Sequence, residues 1–187
     1  MLFDISKLKK IGKNVTIGEM VKIINPENIE IDDYSRIDDF SIIVGGKGIK
    51  IGKFVHIASY TSVIGGGELI MEDFSGTAAG VRIITGSDDY SGKCLTNPTT
   101  PIKYRPYATT GKVHLKRHAV VATNVIVYPN VVIGEGSIVG AGSVVNLSLD
   151  AWGIYMGYPA RKISNRPNEE IYRMEKELLK EITITGN

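Results

Sequence analysis

The sequence predicts an all-β solenoid, a parallel β-helix whose three flat faces are each wound from six residues. Three observations carry this. Apolar residues recur every six positions, at Leu115, Val121, Val127, Ile133, Val139 and Val145. Four residues after each start come Ala119, Val125, Val131, Ser137, Ser143 and Leu149, mostly small or β-branched. Asn124, Asn130, Gly136 and Gly142 stand three residues after four successive starts. Glycine and asparagine tolerate positive φ, so the chain can turn there at low cost. A short strand and a turn, repeated with one side inward, make one wall. Three walls close a triangle, and stacked triangles bury a column of valine and isoleucine. A helical reading fails, because glycine and β-branched residues are disfavoured there and no 3.6-residue stripe appears.

The elements follow in chain order. The first hexads open at Ile11 (IGKNVT) and Ile17 (IGEMVK). The pattern resumes out of phase at Ile31 and Ile37, at Ile51 and Ile57, and at Met71, Thr77 and Ile83. The phase shifts coincide with INPEN (24–28), VGGKGIK (44–50) and VIGGGE (63–68), which read as bulges or short corner loops. From Thr85 to Lys112 no hexad survives, and three of the seven prolines gather there. A long loop of this kind in a compact protein points to function. Tyr104, Arg105 and Tyr107 crowd around Pro106, which favours a loop packed against something. After the last coil, NEEIYRMEKELLKEI reads as an amphipathic helix capped by Asn168, with acids in its first turn. Its stripe of Ile171, Leu178, Leu179 and Ile182 is expected to pack on a coil or a neighbouring subunit. Residues 1–165 therefore form the β-helix domain, with 85–112 extruded, and 166–187 the helix and tail.

Composition excludes several classes. At 187 residues, one domain is the economical reading. A net charge of +2 gives no basic surface for nucleic acid or an anionic membrane. MLFDISKLKKIGKN lacks the apolar core of a signal peptide, and no stretch approaches a membrane span. The single cysteine, Cys94, excludes an internal disulfide and a thiolate zinc cluster. The chain reads as a bacterial-type cytoplasmic protein.

The repeat resembles the left-handed β-helix of the hexapeptide-repeat acyltransferases over roughly residues 11–165; the handedness comes from the resemblance. GIYMGYPARKI (153–163) is similar to the G-x-P-A-[RK] segment that closes the solenoid in acetyl-CoA-dependent members. The resemblance places Pro159, Ala160, Arg161 and Lys162 along the coenzyme cleft, the two cations on its phosphates. It also lets a pantetheine arm lie on the small turn residues Ala122, Thr123, Ala141 and Gly142, although tight corners alone would select such residues. The resemblance further implies a homotrimer, with the 85–112 loop walling an active site shared between subunits and no metal needed.

Acyl transfer from a thioester needs a nucleophile from the acceptor, a base for its proton and a donor for the oxyanion. Galactoside and maltose O-acetyltransferases, which the solenoid resembles, place a histidine near the start of the long loop. Here Ser87 of ITGSDDY stands there, which weighs against sugar hydroxyls as acceptors. DFSG (73–76), SDDYSG (87–92) and TNP (96–98) look closer to nucleotide-sugar N-acyltransferases. An amine is the stronger nucleophile and needs less help. Asp88 and Asp89 are candidate proton acceptors, with like-charge repulsion raising one of them, or else turn caps. His56, outward on a middle coil, is the third catalytic candidate. Ser87, Tyr90, Tyr104 and Arg105 are the candidate acceptor contacts. His114 and His118, in KVHLKRHAV, suit a surface or coenzyme-rim place.

The reading is thus an acetyl-CoA-dependent acyltransferase acting on an amino group of a nucleotide-linked sugar. O-acetylation of a galactoside, maltoside or polysaccharide-precursor sugar is the alternative. A zinc carbonic anhydrase-like enzyme is more distant, because Lys116 and Arg117 hem the histidine pair and repel a cation. A non-catalytic trimeric scaffold is equally distant. GEGSIVGAG (134–142) and GGKGIK (45–50) are not nucleotide loops, lacking the following helix or the required spacing.

Overall fold

The computed structural model describes residues 4–185. Three parallel sheets form the walls of a triangular solenoid. The first face runs through Lys10–Ile11, Ile29–Ile31, Gly48–Ile51, Glu68–Met71, Lys112–Leu115 and Val131–Ile133. The second stacks Thr16–Ile17, Arg36–Ile37, His56–Ile57, Gly76–Thr77, Val120–Val121, Ile138–Val139 and Gly153–Gly157. The third stacks Lys22–Ile24, Ile42–Val44, Ser62–Ile64, Arg82–Ile84, Ile126–Val127 and Val144–Val145. The last strand of the second face turns back antiparallel into Ala160–Asn165, and a helix over Glu169–Thr185 follows.

The hexad residues all point inward as expected. Leu115, Val121, Val127, Ile133, Val139 and Val145 are buried, and so are Ala119, Val125, Val131, Ser137, Ser143 and Leu149. Asn124, Asn130, Gly136 and Gly142 take φ of 57°, 63°, 65° and 69°, the left-handed corners that their side chains permit. Ile11 is the exception at 42% exposed, because it lies on the end coil with no layer beneath it. The phase shifts have one cause. Ile31 pairs with Ile51 and Ile51 with Met71, twenty residues apart, whereas Val113 pairs with Val131 eighteen apart. The early coils carry two additional residues at the corner between the third and first faces.

Buried hydroxyls satisfy the corners. Ser35 Oγ donates to Gly52 O at 2.6 Å and accepts from Val55 N at 3.1 Å. Ser137 Oγ donates to Asp150 O at 2.6 Å. Such pairing is what a hydroxyl needs when it leaves water.

A ring ladder climbs the corner between the first and second faces. Tyr34, Phe54, Phe74 and His118 stack at centroid separations of 4.9, 4.9 and 5.1 Å. Each sits at a left-handed φ of 57–60°, unfavourable for a bulky residue, and the stacking offsets that cost by about 0.5–1.5 kcal/mol per pair. The helix caps this ladder. Tyr172 packs edge-on to Trp152 at 5.2 Å, while Glu175 accepts from His118 Nε2 at 2.6 Å and pairs with Arg117. His118 is therefore buried under the helix, not set on a surface or coenzyme rim, and burial pushes its imidazole down. His114 is also engaged, 2.7 Å from Glu72 Oε1. Of the helix stripe, Leu178 and Leu179 remain exposed on the single chain.

Candidate active site

The extruded loop closes on itself before leaving the solenoid. Gly86–Ser87 pairs antiparallel with Thr109–Thr110, a two-rung neck at the end of the third face. Below the neck the sheet register is unbroken, since Leu69 pairs with Val113 and Met71 with Leu115. A cavity of about 700 Å³ opens beside the neck, walled by Ser87, Asp88, Tyr90, Arg105 and Tyr128, with Ile64 and Ile84 beneath.

Inside this wall Arg105 Nη1 donates to Asp88 Oδ1 at 3.1 Å, and both side chains are largely shielded from water. Arg105 is held in turn by Nε donating to Thr100 O at 3.1 Å. Asp88 Oδ2 has no hydrogen-bond partner among the described residues. A carboxylate held in place by a guanidinium and left with one free oxygen can receive a proton from an adjacent amine. Ser87 Oγ donates to Asp88 O at 2.9 Å.

Asp89 behaves differently. Its carboxylate accepts from Ser91 N at 3.2 Å and Ser91 Oγ at 2.7 Å, and its carbonyl accepts from Thr96 Oγ1 at 2.7 Å. The Ser91 bonds hold its carboxyl below the usual range, so no raised value arises at this residue. It caps a turn, the other use foreseen for it, and does not line the cavity. Tyr104 also lies off the cavity wall, under the Lys103 ammonium at 4.8 Å.

His56 sits elsewhere on the chain. It projects from the second face, where its Nε2 meets Asp38 Oδ2 at 2.8 Å, and Arg36 Nε binds the other oxygen. Burial raises the Asp38 carboxyl, but the bonds from His56 and Arg36 outweigh it and hold the group below its ordinary value. A shallow depression of about 270 Å³ adjoins His56, floored by Gly76 and Ala78. The loop cavity does not include His56, so one chain does not bring it to Asp88. Asp38 is not marked by the sequence spacing: Arg36 is the residue stacked under His56, and Asp38, two positions on, reaches the imidazole through its side chain.

The eight coenzyme candidates gather along one edge, the corner between the second and third faces. Gly142 N donates to Thr123 O at 2.9 Å, which stacks Ala141–Gly142 directly on Ala122–Thr123. The hairpin tip reaches the same edge, where Gly157 N donates to Ser143 Oγ at 3.0 Å and Gly157 pairs with Ala160. A Cβ on Gly142 would meet nothing within 4 Å, so the edge is open to a ligand. Pro159, Arg161 and Lys162 are exposed beside it, while Ala160 is buried. Small residues on an open edge and two exposed cations suit a pantetheine arm and phosphates.

Residues 112–146 match the family model described as "Bacterial transferase hexapeptide (six repeats)". The chain is 35% identical over 159 residues to a dTDP-4-amino-4,6-dideoxy-D-glucose acyltransferase of Escherichia coli, covering 84% of this chain and 82% of that one. Among solved structures it is similar to AntD, an N-acyltransferase from Bacillus cereus. One AntD structure, a serine-to-cysteine variant in complex with dTDP-4-amino-4,6-dideoxyglucose and coenzyme A, has 43% identity and a TM-score of 0.87, covering 94% of this chain and 92% of that one. Another, with dTDP and 3-hydroxybutyryl-CoA, has 42% identity and a TM-score of 0.87, covering 95% of this chain and 93% of that one. A maltose O-acetyltransferase from Clostridium difficile, at 18% identity and a TM-score of 0.61 over 87% of this chain and 72% of that one, shares the fold. The chain belongs to the left-handed β-helix acyltransferases of the hexapeptide-repeat family.

Proposed function

We propose that this protein transfers a short acyl group from an acyl-coenzyme A to the amino group of a nucleotide-linked amino sugar. The observation that carries it is the similarity, at 43% identity over 94% of the chain, to an N-acyltransferase holding coenzyme A and a dTDP-linked amino sugar. The loop cavity supports the same reading, since it offers the acceptor a shielded carboxylate, Asp88, steadied by Arg105. In the reaction the neutral amine attacks the thioester carbonyl, the new C–N bond forms and the C–S bond breaks. Asp88 takes the proton released from nitrogen, and it passes to the leaving thiolate. Arg161 and Lys162 hold the coenzyme phosphates; Ala122, Thr123, Ala141 and Gly142 carry its arm.

The assembly is a homotrimer in the cytoplasm, with each site between two copies. Ile24, Ile42 and Ile64 stand exposed on the third face, the kind of apolar surface that a symmetric contact covers. Asp88 and His56, apart on one chain, come to a common cleft when the loop of one copy meets the second face of another. His56 then orients the acceptor.

A thiol-release assay tests this, run with acetyl-CoA and 3-hydroxybutyryl-CoA against amino-sugar nucleotides, free amino sugars and hydroxyl sugars. Turnover is expected only with amino-sugar nucleotides, and turnover confined to hydroxyl sugars would overturn the reading. Asp88→Asn should lower kcat by about 100-fold, the lower bound for losing a positioned base. Coenzyme binding should stay near wild type.

A further inference from the structure

We infer that the corner between the second and third faces holds a nucleotide-binding slot, with the ring of Tyr60 as its platform and Arg82 as its phosphate clamp. Phe40 and Tyr60 stack there at 5.2 Å with an interplanar angle of 11°. Both take φ of 63°, a conformation that glycine or asparagine adopts more cheaply, and both rings stay at least half exposed. At the first corner the ladder climbs from ring to ring for four coils; here it stops after two. The next coil puts Gly80 in the ring's place, at φ 75°, and the coil after that puts Asn124 there. A Cβ on Gly80 would lie 2.2 Å from Asn124 Oδ1, so the Asn124 side chain occupies the way into the missing rung. The outer face of Tyr60 is thereby left bare.

The groups around this gap are polar and directed. Asn124 Oδ1 hangs over Gly80, and the Asn124 side-chain amide makes no hydrogen bond among the described residues. An unpaired amide beside a bare ring is what reads the edge of a stacked base. Arg82 is fastened across the same corner, Nη1 donating to Tyr60 O at 2.5 Å and to Gly80 O at 3.2 Å. Its Nε and Nη2 have no partner among the described residues. A guanidinium anchored by carbonyls on one side presents its remaining donors to an anion in a fixed geometry.

The occupant is the nucleotide of the sugar acceptor, an inference that rests on the proposed function. The coenzyme's phosphate end is already assigned to Arg161 and Lys162, beyond the last coil. Its arm descends past Ala141 and Ala122 on the same edge, so its thiol end points toward the coil of Gly80. The acceptor must approach from the opposite, N-terminal side, which is where Phe40 and Tyr60 stand.

Calorimetric titration of the full-length protein with thymidine diphosphate tests this, alongside coenzyme A as a separate probe. Tyr60→Leu should weaken thymidine diphosphate by about 10-fold or more, the loss expected for one stacked base. Tyr60→Phe should bind as wild type, and Arg82→Gln should also weaken the diphosphate. Coenzyme A binding and sedimentation of the particle should not change in any variant. A loss of coenzyme A affinity would instead make the slot an adenine site, and a smaller particle would make the rings a subunit contact; either result overturns the inference. So does wild-type protein that fails to bind thymidine diphosphate. If binding depends on Tyr60 but no amino-sugar nucleotide is acylated, the slot stands and the proposed function falls. Acylation with an unchanged KM in Tyr60→Leu gives the reverse.

Discussion

Single side chains here divide into those that hold the wall and those that face a ligand. Glu72 belongs to the first group, accepting from His114 Nε2 at 2.7 Å, Lys116 Nζ at 3.0 Å and Arg117 N at 3.0 Å. Burial raises its carboxyl, but these bonds outweigh that and leave it below its usual 4.5. A carboxyl depressed on folding contributes stability above its unfolded value, lost as pH falls through the folded one. Wild-type melting temperature should therefore drop below about pH 4.5, the ordinary glutamate range. Glu72→Gln should melt lower near neutrality by about 2–4 °C, as a partly exposed contact allows. Its acid limb should also be flatter. Arg161 is proposed for the second group: among the described residues its guanidinium bonds only its neighbour's carbonyl, Ala160 O at 3.1 Å. Arg161→Ala should raise the KM for acetyl-CoA by roughly three- to tenfold, with kcat held, as steady-state kinetics will read. The identity of Asp88 as the cavity carboxylate, against Asp89 as the cap, was not legible from adjacency. It depends on Arg105, seventeen residues away, and on Ser91 folding back.

Elements were legible in proportion to their regularity. The coils repeat, so hexads at Ile31, Ile51 and Met71 announce their own burial, and glycine and asparagine mark the corners. The ring ladder is equally periodic in space yet hidden in sequence, because the loop sets Phe74 and His118 44 positions apart. The apolar stripe marks the helix in the sequence, but the anchor is made by an aromatic and an acidic residue interleaved with that stripe. Tyr172 and Glu175 dock on Trp152, His118 and Arg117, a mixed aromatic and charged contact that hydropathy does not weigh. Tyr172→Ala removes the edge contacts to Trp152 and His118, about 0.5–1.5 kcal/mol each, and the hydrogen bond to Glu135. Amide exchange across Glu169–Thr185 should then quicken several-fold while the coils keep their protection.

At the scale of the whole molecule, the third face carries the test of assembly. Ile42 is 40% exposed with its main chain fully laddered, so Ile42→Asp costs the single chain little. In analytical ultracentrifugation the wild type should sediment as a trimer and the variant as a smaller species with the same circular dichroism. The neck at Gly86–Ser87 and Thr109–Thr110 has a further consequence. Because the rungs on either side of the excursion meet as though nothing intervened, the spool and its appendage are separate cassettes. Exchange of residues 88–108 for a short turn should leave the melting temperature within a few degrees and abolish acceptor use. A change in the amino-sugar end of the acceptor can then be met by redesigning the tip of that appendage, with the coils on either side of it left as they are.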